Sequence, residues 1–369
     1  MNVLHISAVR NLGGGEIHIE NLYHELNNNH EGITQYILCV KNSDFHKRLK
    51  NTNFNYIPVP LKIKMDIRYI FKIFIICRIK KIDIINLHDP TALTLTVIAD
   101  RIFKVLPPFV FSKKTSFPIK SRKQTLYKYN YKKIKKIICV SEAVKEVASL
   151  SIEDKNKLIT IYDGIRFDNK NIEANFNIKT KYNIPNDKKI IGTIGNHIRA
   201  KNLFTFIEVV NEIVNIRKIN TFHFVQIGAY NERTPMYLNK VKEYKLEDHV
   251  TFTGYQDNAS AFIPQFDTFL LTSQSEGLPM VINESFYYKV PVVSTNPGGI
   301  PEIIKHKFNG YLTDVENSKE LADYIIDINN NEPLRNQFIE NSYNQLMSGF
   351  STKQMGEKTL EVYKNIIKE

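Results

Sequence analysis

Residues 266–302 read FDTFLLTSQSEGLPMVINESFYYKVPVVSTNPGGIPE, and the order of residue types in this stretch decides the fold. Thr268–Leu271 is a short apolar run bounded by polar residues, the pattern of a strand buried on both faces. A polar loop follows, Pro279 stands where the first residue of a helix is expected, and Pro291–Ser294 is a second buried strand. A helix between two such strands is the crossover of a parallel sheet.

The same alternation extends in both directions. Toward the N-terminus lie a strand at Lys189–Gly195, a helix from about Leu203, and strands at Phe222–Ile227 and Val250–Phe252. The first half repeats the theme: a strand at Asn2–Ala8, a glycine turn at Gly13–Gly15, then Ile17, Leu22 and Leu26 at helical spacing. Further strands are expected at Gln35–Val40, Asp83–Leu87, Phe109–Phe111 and Ile137–Val140. Between the halves, after Asp163-Gly164, the chain turns polar through Asn169, Asn171, Asn175 and Asn177. The reading is two doubly wound α/β domains, 1–165 and 166–349. Such sheets bind ligands beyond the carboxyl ends of their strands, so a cleft between two facing domains is the expected site.

A chain of 369 residues exceeds what one core usually holds, which agrees with two domains. Cys39, Cys77 and Cys139 each sit in an apolar run without metal-binding spacing and read as small buried hydrophobes. The residues after Met1 lead straight into a strand rather than a signal peptide, giving a cytoplasmic expectation. Lys72, Arg78, Lys80, Lys81 and Asp83 interrupt the apolar stretch Ile67–Leu87, which argues against a membrane span. The net charge of +12 is unevenly placed: residues 1–165 carry 27 Lys and Arg against 14 Asp and Glu, the remainder 23 against 24. The first domain is therefore the one expected to meet something anionic.

Within 266–302 the chemistry concentrates on Glu276 and Glu284. The first follows a strand and the second falls about a turn and a half into the helix, so the carboxylates lie about 10 Å apart along one wall. That separation suits two hydroxyl-rich groups at opposite ends of one diphosphate. The amides of Gly277 and Leu278 are expected at the helix start, where they and the dipole favour phosphate. Alternatively, Glu276 caps the helix and Glu284 is a solvated helix residue.

Glu276-Gly277-Leu278-Pro279, the second glutamate eight positions on, Pro291-Val292-Val293 and Gly298-Gly299-Ile300-Pro301-Glu302 resemble the E-x7-E region of retaining glycosyltransferases of family 4. Five further segments agree in order: Gly13-Gly14-Gly15-Glu16, Ile138-Cys139-Val140-Ser141-Glu142, Asp163-Gly164-Ile165, Gly195 to Lys201, and Val250-Thr251-Phe252-Thr253-Gly254-Tyr255. The resemblance implies the GT-B fold, two Rossmann-like doubly wound domains facing across a cleft. It also implies that a final helix, 352–368, packs back on the first domain.

The resemblance implies as well a nucleotide-sugar donor, a UDP- or GDP-sugar, with residues 166–349 as its binding domain and 1–165 on the acceptor side. Its contacts would be Gly14, Asn196, Arg199, Lys201, Gly254, Tyr255, Glu276, Gly277, Leu278 and Glu284. Glu284 would take the ribose, Glu276 the transferred sugar and Lys201 the diphosphate. His88, Lys201 and Glu276 form the expected catalytic set. One departure from the family is Asn196, which stands where arginine usually follows the glycine. Either Arg199 reaches back or one phosphate contact is neutral. His88 either meets the sugar or caps the turn before Pro90.

Lys113–Lys136 holds ten Lys or Arg and no acid, with Phe117, Tyr127, Tyr129 and Tyr131 interleaved. It reads as a solvated face, as a holder for an anionic acceptor, or as a peripheral contact with an anionic membrane, with Lys113 and Lys114 following a strand toward the cleft. The expected enzyme is a metal-independent hexosyl or N-acetylhexosaminyl transferase acting by front-face displacement on a saccharide or lipid-linked acceptor in bacterial surface-glycan assembly. It has no cofactor beyond the donor, and no nucleic acid partner. A nucleotide-sugar epimerase and a basic nucleic-acid binder are the alternatives. The first is disfavoured by E-x7-E, the second by the lack of any recognised nucleic-acid module.

Overall fold

The computed structural model describes residues 1–166 and 176–368, so Asn169, Asn171 and Asn175 of the polar stretch lie outside the described residues. The chain forms two compact units, Met1–Arg166 with Phe350–Glu369, and Phe167–Gly349.

The first unit is built on seven strands: β1 Asn2–Ile6, β2 Thr34–Val40, β3 Tyr56–Val59, β4 Ile84–Leu87, β5 Phe109–Lys113, β6 Ile134–Cys139 and β7 Leu158–Thr160. All pairings are parallel, in the order β3-β2-β1-β4-β5-β6-β7. Ile6 sits opposite both Leu38 and Leu87, which marks the point where the strand order reverses. The second unit repeats the design with β8 Lys189–Ile194, β9 Phe222–Ile227, β10 Val250–Phe252, β11 Thr268–Leu271, β12 Val292–Thr295 and β13 Tyr311–Thr313, in the order β10-β9-β8-β11-β12-β13. Its reversal lies between β8 and β11. Each reversal leaves a crevice at the carboxyl ends of two strands, the usual ligand position in such sheets.

The sequence pattern misses β3, β7 and β13, which are all edge strands of three or four residues. Pro58 demotes β3 in a pattern reading, yet proline is tolerated on an edge because one side needs no ladder donor. The β5 strand runs two residues beyond the expected Phe111, pairing Lys113 with Cys139. Lys113 therefore belongs to the strand rather than following it.

The final helix, Thr352–Lys368, completes the core of the first unit: Met355, Leu360 and Tyr363 join Val3, Leu22 and Val110. Asn86 donates to the Tyr363 hydroxyl at 2.6 Å. A Cβ on Gly164 would collide with the backbone of Ser351, so Asp163-Gly164-Ile165 includes the glycine that admits the returning chain. The three cysteines are free and buried, and burial pushes each thiol up to about 12.

Candidate functional site

In the second unit the crevice is walled by the segments after β8 and β11. Gly195 follows β8, and a Cβ on Gly228 would collide with its carbonyl, so the two loops approach as only glycine allows. Gln226 donates to that carbonyl at 2.7 Å and turns its Oε1 to His197 Nε2 at 2.8 Å, while His197 Nδ1 meets Thr234 Oγ1 at 2.8 Å. Burial pushes this imidazole below its usual range, so it is a neutral strut under the loop. Asn196 is exposed and accepts from the Ala229 amide at 3.1 Å; Arg199 is exposed, and its carbonyl takes the Gln274 side chain at 2.8 Å. Arg199 is thus fixed by its backbone with its guanidinium at the surface.

Lys201 closes this loop. Its Nζ donates to Glu276 Oε1 at 2.7 Å, and Ser273 Oγ donates to the same oxygen at 2.6 Å. Thr272 Oγ1 and the Gln274 amide bond to the carbonyls of 200–202, strapping the two loops together. The ammonium keeps two further hydrogens for an anion, and Glu276 keeps its second oxygen for a hydroxyl.

Pro279 is the N-cap, in extended conformation, and the helix runs Met280–Tyr287. The Ile282 amide already bonds to the Pro279 carbonyl, so the helix-start amides are those of Met280 and Val281. This corrects the expected placing of Gly277 and Leu278 there: they precede the cap, the Gly277 carbonyl accepting from Gly299 and Leu278 buried. Glu284 is the fifth residue of the helix, half-buried. Gly254, at φ +73°, takes the Gly228 amide on its carbonyl, and Tyr255 beside it is exposed.

In the first unit the crevice opens into a cavity of about 1380 Å³, walled in part by Gly13, Glu16, His88, Lys113, Lys114 and Lys128. Gly13 and Gly15 form the wall, whereas Gly14, the expected contact, starts the helix Gly14–Asn29 beside it. Asp89 caps the next helix, accepting from Thr91 and Ala92, and takes the Ala8 amide at 2.7 Å, which ties β1 to β4 at the reversal. His88 is buried and caps nothing.

Behind His88 runs a polar chain that fixes its protonation. The Gln35 amide donates to the Tyr23 carbonyl at 2.9 Å, so its Oε1 faces His5 Nε2 at 3.1 Å, and that nitrogen must carry hydrogen. His5 Nδ1 is then bare and accepts from His88 Nε2 at 3.0 Å. His88 Nδ1 is left as an acceptor, buried and without a protein partner. Burial drives both rings below the usual range, His5 to about 4, so they are neutral at pH 7.

Lys114 donates to Asp163 Oδ1 at 2.9 Å, and His18 Nδ1 lies 2.6 Å from the same oxygen. Burial raises the Asp163 carboxyl, but His18 and Lys114 outweigh it and hold it below the carboxylate range. Lys113 Nζ donates to the Thr115 and Phe117 carbonyls, and Lys128 to Pro90 and Thr94. Glu16 accepts from Ser7 and from the Gly13 amide, yet burial pushes it up to about 7. With Asp89 committed to amides and Glu16 partly protonated, the cations set the sign of the cavity.

Sequence reasoning missed His5, His18, Gln35 and Ser273. His5 lies 83 positions from its partner, and a histidine inside an apolar strand carries no local signal. Glu16 and Asp163 stood inside quoted motifs but had been given no role.

Two doubly wound parallel sheets in tandem, each with its polar residues at the strand reversal, define the architecture of the GT-B glycosyltransferases. Residues 12–169 match the family model "Glycosyltransferase Family 4" and residues 175–345 the family model "Glycosyl transferases group 1". The chain belongs to the glycosyltransferases of the family 4 type. It is 27% identical over 192 residues to the N-acetyl-alpha-D-glucosaminyl L-malate synthase of Bacillus anthracis, covering 52% of this chain and 49% of that protein. It is 26% identical over 234 residues to the poly(ribitol-phosphate) alpha-N-acetylglucosaminyltransferase of Staphylococcus aureus, covering 60% and 47%. The chain thus spans about half the length of these curated relatives. The structure of Anabaena HepE in complex with UDP-glucose has the same fold, with a TM-score of 0.84 at 16% identity over 99% of this chain and 100% of that one. Among the described residues no helix is long and apolar enough to cross a membrane.

Proposed function

We propose that this protein transfers a hexosyl or N-acetylhexosaminyl group from a UDP-sugar, with retention, to an anionic saccharide or lipid-linked acceptor in surface-glycan assembly. The observation that carries the reading is the Lys201–Glu276 pair at the second strand reversal, a cation and a carboxylate held 2.7 Å apart between strapped loops. Lys201 meets the diphosphate, Glu276 the sugar hydroxyls, Glu284 the ribose, and the Met280 and Val281 amides a phosphate oxygen. The acceptor oxygen bonds to the anomeric carbon as the bond to the diphosphate breaks. The proton passes to the departing phosphate, whose charge Lys201 stabilises. His88 Nδ1 takes a substrate hydroxyl, which satisfies an acceptor otherwise left unpaired at a cost of roughly 1–3 kcal/mol.

The two curated relatives named above act, by their names, on malate and on poly(ribitol phosphate), and both acceptors are anions. The cationic cavity of the first unit supports the same class here. Of the roles open to Lys113–Lys136, this favours acceptor holding over membrane contact, because Lys113, Lys114 and Lys128 turn inward. A divalent metal is not needed where an ammonium and amides meet the phosphates, and turnover should persist in a chelator. The test is nucleotide release from UDP-GlcNAc, UDP-Glc, UDP-Gal and GDP-Man with and without an anionic acceptor. Release of UDP that Lys201→Ala lowers at least about a hundredfold supports the proposal. Sugar epimerisation without release, or turnover unchanged in Lys201→Ala and Glu284→Ala, overturns it.

A further inference from the structure

The helix Ile67–Ile79 buries Tyr69, Ile70, Ile73, Ile76 and Cys77 against the first unit. Its opposite face carries Ile67, Phe71, Ile75 and Ile79, spaced four apart along one ridge and all exposed, Ile79 at 70%. Three cations, Arg68, Lys72 and Arg78, share that face. The loop before the helix alternates Lys62, Ile63, Lys64 and Met65, all exposed, with Ile63 at 67%. Alongside, the end of the helix Pro90–Phe103 adds Ile102, and the turn after it adds Val105: Phe103 stacks on Phe74, and Val105 shares a surface cleft of about 430 Å³ with Arg78 and Lys81. The one carboxylate among residues 62–81, Asp66, is buried and bonded to Arg68.

We propose that this surface seats the protein on an anionic lipid bilayer, with the apolar ridge among the acyl chains and the cations at the headgroups. Apolar residues flanked only by cations are the composition of an interfacial helix. A second copy of this chain is a poor occupant, because a two-fold contact would set the same cations against each other. The surface also adjoins the cavity of the first unit, since Lys64 and Met65 belong to both. An acceptor anchored in the bilayer would therefore arrive beside the residues that hold it.

The test is co-sedimentation of the full chain with vesicles of phosphatidylglycerol and phosphatidylcholine (1:2) and of phosphatidylcholine alone. The expected result is binding to the anionic vesicles that falls with added salt. Ile63→Ser/Ile67→Ser/Ile79→Ser, at the most exposed apolar positions, should weaken it at least about tenfold with the melting temperature unchanged. Lys72→Gln/Arg78→Gln, which leaves the ridge intact, should weaken it about fivefold for each cation removed. Equal binding to both vesicle types, or no binding, overturns the proposal. So does an equal loss in Lys123→Gln/Lys132→Gln, which would point to net charge alone. Dissociation of a dimer by the serine substitutions would assign the face to self-association instead.

Discussion

The two strand reversals share one topology and differ in how they hold charge. After β8 and β11 the buried groups Gln226, His197, Thr272 and Ser273 strap two loops together, Asn196 and Arg199 face the surface, and the loops meet in one mostly buried ion pair, Lys201 with Glu276. After β1 and β4 the polar groups are sunk behind a cavity wall, where burial pushes Glu16 above its ordinary range and His5 and His88 below theirs. Under the proposed function, the strapped loops of the second unit frame the donor's diphosphate, and the buried groups of the first unit tell the acceptor's charge and hydroxyl apart from others.

The largest effect expected from breaking this contrast is at the second reversal. Lys201→Ala should lower the turnover number about 10²–10³-fold, as loss of one preorganised donor to a developing anion does. Lys201→Arg should recover little, since the forked guanidinium cannot sit where one ammonium nitrogen meets Glu276. Steady-state UDP release measures both.

Next comes the buried carboxyl of the first reversal. Glu16 titrates near 7 in the folded protein against about 4.5 when exposed, so its ionised form is penalised by folding. Nothing is lost below pH 4.5, stability falls as pH rises toward 7, and the cost levels off above that at about 3 kcal/mol, at 1.36 kcal/mol per unit. Glu16→Gln should melt with the parent at pH 4 and above it at pH 8. Equal melting at both values would show that the cavity does not strain this group.

A smaller effect separates His88→Asn from His88→Gln. The Asn oxygen falls near the position of Nδ1, whereas the Gln amide reaches the position of Nε2. The acceptor account therefore predicts that Asn retains about tenfold more activity, the worth of roughly one hydrogen bond. Nitrogen NMR should find His5 and His88 both protonated on Nε2, and Gln35→Leu should release that order. The smallest effect is Tyr363→Phe, which removes the bond from Asn86 and should cost the first unit about 1 kcal/mol in chemical denaturation.

Much of the architecture was legible because parallel sheets write their inner strands as apolar runs. Thr268–Leu271 and Phe222–Ile227 match to the residue, and both lie inside the second sheet. Edge strands are short and half-solvated, so β3, β7 and β13 leave little trace. The helix start slipped by one residue because Pro279 fits the N-cap as well as the first turn. At the site, Lys201 and Glu276 were legible through ordered motifs, while the chain from Gln35 through His5 to His88 was not, because it joins three strands that are distant in sequence. The exposed ridge of Ile67–Ile79 was hidden for another reason. Its cations, read along the chain, only interrupted an apolar run, and the face they share with Ile67, Phe71 and Ile75 exists only in the folded helix.

Under the proposed function the donor belongs to the second reversal and the acceptor to the first. Titration of UDP into the unaltered chain, Glu284→Ala and Lys128→Ala separates the two sites. Loss of the ribose contact in Glu284→Ala should weaken UDP binding at least about tenfold, while Lys128→Ala should leave it within about twofold of the parent. UDP affinity unchanged in Glu284→Ala, or lost in Lys128→Ala, would place the donor elsewhere.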